Sequence, residues 1–262
     1  ERNERIMMEL TVLGSHSPYA PANGACSGYL LTIDGFHIML DCGNGSFSRL
    51  QRHIDFAELD MVIITHLHPD HYSDIYCLRQ AIGGAIKAGR RQQPVILYVP
   101  EEPSALAAEI REWTDIFNIA SLSEAMAHEN DFNLFQLDFF RTKHEPETYG
   151  LRISQGGQPM FAYTSDTGWY SGLIQECAGV RLLLAEASLK EHELQTLGDR
   201  HMTAGQAGML AQAADAGKLI LTHFFPTYNL HQLQREAEQH FDQKVLMATM
   251  GKTYTIEGKT NI

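Results

Sequence analysis

The stretch VIITHLHPDH, residues 62–71, drives an apolar run straight into His66, His68, Asp70 and His71. The run up to Thr65 reads as a buried strand, and Pro69 ends it. Side chains two apart in an extended segment share a face, so His66 and His68 can reach one cation. Neighbours in a helix diverge by about 100°, so Asp70 and His71, just past the proline, are turned towards a second. Imidazoles this close repel one another when protonated and waste core volume when neutral. A divalent metal removes both difficulties.

Two cations need more than four donors, and Zn²⁺ in a hydrolytic site takes nitrogen and carboxylate donors while keeping a position open for water. Other strand ends must therefore converge on this junction. Three supply the right residue types: His144 closes LDFFRTKH, Asp166 follows FAYTSDT, and His223 closes LILTH. The expected arrangement places His66, His68 and His144 on one ion and Asp70, His71 and His223 on the other. Asp166 and a water or hydroxide bridge them. VIITH and LILTH are also an internal echo, two apolar strands ending in Thr-His, as if two half-domains each aimed one strand at a shared site.

Along the chain, strands are expected over 8–14, 26–33 and 37–43, with Asp34-Gly35 as a hairpin turn. Further strands are expected over 61–66, 95–100, 131–142, 149–167, 181–187 and 218–225, with one last strand from Val245. Helical stretches fall near 70–88, 103–113, 203–217 and 230–241. No linker divides the chain, so 8–262 is read as one α/β domain, with 1–7 as a tag or disordered start. No apolar stretch has the roughly 20 residues of a membrane span, and ERNERIMMEL lacks the apolar core of a signal peptide. Cys26, Cys42, Cys77 and Cys177 have no metal-ligand spacing and read as reduced thiols of a cytoplasmic protein.

The pieces THLHPDH, His144, SDT around Asp166, LTHF around His223 and LDCG at 40–43 together resemble the metallo-β-lactamase superfamily. The resemblance runs from about Met8 to the last strand. It implies a four-layer αββα sandwich, two mixed sheets flanked by helices, with a dinuclear site at one edge. It also implies that Asp41 orients the site by hydrogen bonding from behind the ligands. A β-lactamase usually carries cysteine where Asp166 stands, which argues against drug hydrolysis. RHMTAGQAGMLAQAADAGKLILTHFFP, 200–226, is similar to the phosphodiesterase branch, comprising tRNase Z and the related cyclic-phosphate phosphodiesterases. There, a histidine at the place of His201 opens a helix that leads to the last ligand strand.

In tRNase Z a long Gly/Pro-rich arm usually lies between the ligands matching His144 and Asp166. Residues 145–165 leave room only for two strands and a turn. The chain also carries 20 Lys and Arg against 32 Asp and Glu, a net charge of −12, which repels polyanions. tRNA is thus not the expected partner, and a small or cyclic phosphate ester is. The expected activity is phosphodiester hydrolysis by a metal-bridging hydroxide. Asp70 doubles as ligand and base, and His201 contacts a phosphate oxygen or protonates the leaving alkoxide. The alternatives are tRNA 3′-processing and thioester or lactone hydrolysis. Two divalent ions are expected, Zn²⁺ first, with Mn²⁺ or Fe²⁺ compatible. A homodimer suits the family, though no sequence feature shows one. Phe224, Phe225 and Tyr228 are candidates for a wall against a base or sugar, with core packing for at least one. Glu186 is given a supporting place at most. His16, His37, His53, His128, His192, His231 and His240 are given no role.

Overall fold

A computed structural model describes residues 7–258, and among them the chain forms two seven-stranded sheets. The expected start at 1–7 lies outside the described residues except for Met7. The first half opens with β1 (Met8–Gly14), β2 (Gly28–Ile33) and β3 (Phe36–Leu40), then α1 (Ser46–Leu50) and β4 (Met61–Ile63). Two helices follow, α2 (Pro69–Tyr72) and α3 (Ile75–Lys87), then β5 (Val95–Val99), α4 (Ser104–Arg111), β6 (Phe117–Ser121) and α5 (Leu122–Met126). The second half contains β7 (Asn130–Asp131), β8 (Gln136–Arg141), β9 (Tyr149–Gln155) and β10 (Gln158–Tyr163). It continues through α6 (Gly172–Glu176), β11 (Leu182–Glu186), α7 (Leu194–Leu197), α8 (Ala204–Ala213) and β12 (Leu219–Thr222), and ends in α9 (Leu230–Glu238), β13 (Val245–Met247) and β14 (Thr253–Ile256).

The strands of the first sheet are apolar almost throughout because both faces are covered. Tyr29, Leu31, Ile38, Leu40, Met61 and Ile63 point into the core shared with the second sheet. The alternating Leu30, Met39, Val62 and Ile64 point outward to meet Leu78 and Ile82 of α3 and Ile110 of α4. Behind the second sheet, the small residues Ala204, Ala207 and Ala211 let α8 lie close to β11 and β12. The result is the helix–sheet–sheet–helix sandwich expected from the motif set.

The sheets repeat one plan. β3 pairs antiparallel with β2 and parallel with β4, while β10 pairs antiparallel with β9 and parallel with β11. Each is the strand at which its sheet changes sense. An aspartate follows each closely, Asp41 after β3 and Asp166 after β10. β4 and β12 are the parallel strands that lead to His66 and His223. By position in its sheet β4 corresponds to β11 rather than to β12, so the VIITH/LILTH echo is one of local sequence, and the site forms beyond the carboxyl ends of these parallel strands.

Several boundaries differ from the sequence reading. The helix expected over 70–88 is two helices, because Cys42 O accepts from Asp74 N at 2.9 Å and draws the chain into a turn between them. β4 stops at Ile63, and residues 64–68 approach the site as irregular extended chain. Pro103 is the residue before α4 rather than its first turn. The expected last strand is split: β13 joins β12 in the second sheet, and β14 joins β1 in the first. β6, α5 and α6 carry no pattern strong enough to have been read. Residues 145–165 form the short β9–β10 hairpin, with no arm.

Candidate metal centre

The His66–His71 junction is fixed from below by the LDCG segment. Cys42 N donates to His71 O at 2.7 Å. A Cβ on Gly43 would collide with the carbonyl of Asp70, so only glycine lets the two segments lie this close. His68 is the extended residue before α2 and Pro69 opens that helix, where a proline costs no hydrogen bond. Asp41, Ser165 and His223 adopt the left-handed backbone region, with φ of 57°, 51° and 63°. Such conformations are costly outside glycine and concentrate where the surrounding structure imposes them.

The seven residues expected to bind metal come together. His66 Nε2 and His144 Nε2 lie 3.1 and 3.3 Å from His68 Nδ1. His71 Nε2 and His223 Nε2 are 3.0 Å apart, and Asp70 Oδ2 lies 3.7 and 3.5 Å from them. Asp166 stands between the groups. Its Oδ2 faces His66 and His144 at 3.5 and 3.7 Å, and its Oδ1 faces His71 and His223 at 3.3 and 3.0 Å. His201 also draws near, with a donor atom within 4.8 Å of those of Asp166 and His223.

Partners behind these side chains set their orientation. Asp41, fully buried, accepts from Thr65 N at 2.8 Å, Tyr163 Oη at 2.9 Å and His71 Nδ1 at 2.8 Å, so His71 Nε2 is turned to the centre. His144 Nδ1 faces the Arg200 carbonyl at 3.1 Å, and His223 Nδ1 faces Ser188 Oγ at 2.7 Å. Glu186, at the end of β11, is a further partner of this kind. Its buried carboxylate accepts from Thr167 N beside Asp166 at 2.6 Å, from Ser188 Oγ at 2.5 Å and from His201 Nδ1 at 2.9 Å. A single glutamate at a strand end carries no local signal for this, and Ser188 and the Arg200 carbonyl carry none either. His201 does not cap α8. That role belongs to Thr203, whose Oγ1 accepts from Gln206 N.

The electrostatics divide the imidazoles. Burial, reinforced by the charge of His71, holds His66 well below the usual histidine range, and burial likewise lowers His68 and His144. For His71 burial acts in the same direction, but Asp166, Asp41 and Asp70 outweigh it and raise the ring well above that range. Asp70 and Asp166 are lowered despite burial, because His71 and His223 stand beside them. His201 loses some basicity to burial, yet the Glu186 carboxylate raises it to about 9.

These residues fit divalent metal. Asp166 Oδ1 is buried with no hydrogen-bond donor, which is costly for a carboxylate oxygen. Several ring nitrogens also converge at contact distance, an arrangement that cations satisfy and hydrogen bonds alone do not.

Fold and donor set together define a metallo-hydrolase sandwich. Residues 37–224 match the family model described as Beta-lactamase superfamily domain. The chain belongs to that superfamily. A probable metallo-hydrolase, YhfI of Bacillus subtilis, is 29% identical over 251 residues, covering 93% of this chain and 98% of that protein. The crystal structure of YhfI superposes with a TM-score of 0.86 at 26% identity, covering 95% and 99% of the two chains. Human tRNase Z, short form, has a TM-score of 0.74 at 21% identity, covering 95% of this chain and all of that one. A diphosphatase of the PhnP family has a TM-score of 0.70 at 19% identity, covering 94% and 97%. The last two likenesses are of fold. No helix of the described residues is long and apolar enough to cross a membrane.

Proposed function

We propose that the chain is a phosphodiesterase acting on a small or cyclic phosphate ester. The observation that carries this reading is His201, held by Glu186 and lining the same cavity as His68, Asp70 and Asp166. Hydrolysis of a phosphodiester expels an alkoxide, which needs a proton. With Nδ1 committed to Glu186, His201 keeps Nε2 for the cavity, where it delivers that proton or contacts a phosphate oxygen. Thioester hydrolysis expels a thiolate, which leaves without such a proton and gives no reason for a glutamate-backed imidazolium at this position.

His66, His68 and His144 would hold one divalent ion and Asp70, His71 and His223 the other, with Asp166 shared. Zn²⁺ is the first assignment, and Mn²⁺ or Fe²⁺ suit the same donors. Such ions supply a hydroxide near neutral pH and neutralise charge on the phosphate. Asp70, held ionised at rest by His71 and His223 beside it, would accept the proton that the attacking water gives up. As that oxygen bonds to phosphorus, the P–O bond to the leaving group breaks and His201 protonates the departing oxygen. The named activities of the tRNase Z and the PhnP-family diphosphatase, both acting at phosphate, support the reaction class. The short β9–β10 hairpin and the net charge of −12 argue against tRNA as substrate. Four unpaired cysteines suit the cytoplasm as the compartment.

The test is turnover of bis-p-nitrophenyl phosphate, a cyclic nucleotide and a thioester by protein loaded separately with zinc and manganese. Phosphodiester turnover is expected, falling about 10²–10⁴-fold in His201→Ala while the metal content stays that of the parent. Thioester turnover alone overturns the reading.

A further inference from the structure

A cavity of about 320 Å³, sharing no lining residue with the metal cavity, lies between the end of α1 and the turn from β13 to β14. Arg49, Arg52, His53, Met250 and Gly251 line it. Acidic residues outnumber Lys and Arg by 32 to 20 in this chain, yet this lining holds two arginines and a histidine and no acid. The exposed Arg52 side chain makes no hydrogen bond or ion pair among the described residues. Burial, and then the charge of Arg52, hold the His53 ring below the usual histidine range, and no carboxylate opposes them. Positive charge is thus gathered at one concave place and left uncompensated.

The walls are fixed. Leu50, fully buried, anchors α1 in the core. Arg52 N donates to Arg49 O at 3.0 Å and His53 N to Leu50 O at 2.9 Å, so these two carbonyls are satisfied and do not confront an anion. Opposite them, Gly251 N donates to Val12 O at 2.7 Å and Lys252 N to Thr249 O at 3.0 Å, which holds the β13–β14 turn. Gly251 has a φ of 80°, and a Cβ there would meet nothing within 4 Å, so the space beside it is open. Arg49, half-buried, donates from Nη2 to Asn23 O at 2.6 Å. That bond pins the guanidinium in advance and leaves Nε and Nη1 without partners among the described residues. Asn23 belongs to the β1–β2 loop, whose Ser17 and Pro18 line the metal cavity.

We propose that this cavity is a second ligand site, which takes the phosphate group of a small phosphomonoester between Arg49 and Arg52 with His53 at its side. A guanidinium presents paired N–H donors that match phosphate oxygens, and two of them equal the charge of a phosphomonoester dianion. A carboxylate or a phosphodiester carries one negative charge and leaves one guanidinium uncompensated. A nucleic-acid strand needs a longer row of cations than two arginines on a chain of net charge −12 supply. The volume stands at the lower end of the roughly 300–1,000 Å³ of ligand pockets, so the body of the ligand is small. Because Arg49 also grips Asn23 O, occupancy is felt by the β1–β2 loop and so by one wall of the metal cavity.

The test is a titration of the zinc-loaded chain with methyl phosphate at constant ionic strength, followed by the proton–nitrogen correlation signals of the arginine Nε–H groups and of the Gly24 and Gly251 amides. Arg52 Nε–H and Gly251 are expected to shift together and to saturate in the millimolar range. Dimethyl phosphate and acetate should bind about tenfold more weakly, the loss of one charge-assisted contact. Arg52→Gln and Arg49→Gln should each weaken methyl phosphate by about the same factor. Lys87→Gln, which removes the same charge from the exposed end of α3, should change nothing. Gly24 should follow the Arg52 saturation curve in the parent and stay still in Arg49→Gln. Phosphate taken by the metal centre is read separately, at the His68 and His201 rings, and survives Arg52→Gln. No shift at Arg52, a shift of equal size with chloride, or unaltered binding in Arg52→Gln overturns the proposal. Equal affinity for acetate overturns the assignment to phosphomonoesters, and a motionless Gly24 while Arg52 saturates overturns the link to the loop.

Discussion

The first sheet delivers His66, His68, Asp70 and His71 from one junction after β4, whereas the second delivers His144, Asp166, His201 and His223 singly, from four separate places after β8, β10, α7 and β12. The supports differ in the same way. Behind the first group stands one buried aspartate, Asp41, tied to Thr65, His71 and Tyr163. Behind the second stands a relay, in which Glu186 holds Thr167, Ser188 and His201 together. Local chain geometry nearly suffices to assemble the first group. Only the completed sheet assembles the second, so a defect in its packing should reach the chemistry more readily.

Asp166 joins the two groups, and its removal should produce the largest effect. Asp166→Ala is expected to release metal from both sides and to cost more than the roughly 10–100-fold typical of a residue outside the ligand set. Elemental analysis after gel filtration checks it, and a variant that keeps one full equivalent would mean the groups are independent. His201→Ala should follow, with the 10²–10⁴-fold loss given above and no change in metal. Asp41→Asn should weaken metal binding about 10–100-fold, read by competition with a chromogenic chelator, and the loss should fall on the first group. Glu186→Gln removes the charge that raises the His201 ring to about 9. A nuclear magnetic resonance titration of that ring in metal-free protein should therefore show a lower value. In loaded protein the alkaline fall in kcat should move to lower pH, because the imidazolium is lost earlier as pH rises. An unmoved titration would detach Glu186 from His201. Smallest for the site is Gly35→Ala, in the β2–β3 turn where φ is 87°. It should cost about 1–2 kcal/mol of stability in a denaturant melt, with metal content untouched.

The same contrast explains what could be read from the sequence. His66, His68, Asp70 and His71 were legible because four donor side chains within six positions have no ordinary structural explanation. His144, Asp166 and His223 were legible because each closes an apolar strand pattern. The partners of Glu186 at 167, 188 and 201 were not, since they become neighbours only when β10, β11 and the chain before α8 are in place. The break between α2 and α3 was hidden for a similar reason. Asp70 to Lys87 has a continuous helical pattern, and only a hydrogen bond from Asp74 to distant Cys42 interrupts it. The division of the closing strand depends on a change of sheet that no local pattern encodes.

That change of sheet has a consequence for how the chain is made. β13 completes the second sheet and β14, a few residues on, flanks β1 in the first, where Thr11 and Thr253 meet across 242 positions of sequence. At about 5–20 residues per second of synthesis, β1 waits tens of seconds on the ribosome with one hydrogen-bonding edge bare. Through that interval the nascent first sheet presents a sticky border to any other strand. Whatever shields β1 until β14 emerges therefore guards the first sheet against mispairing.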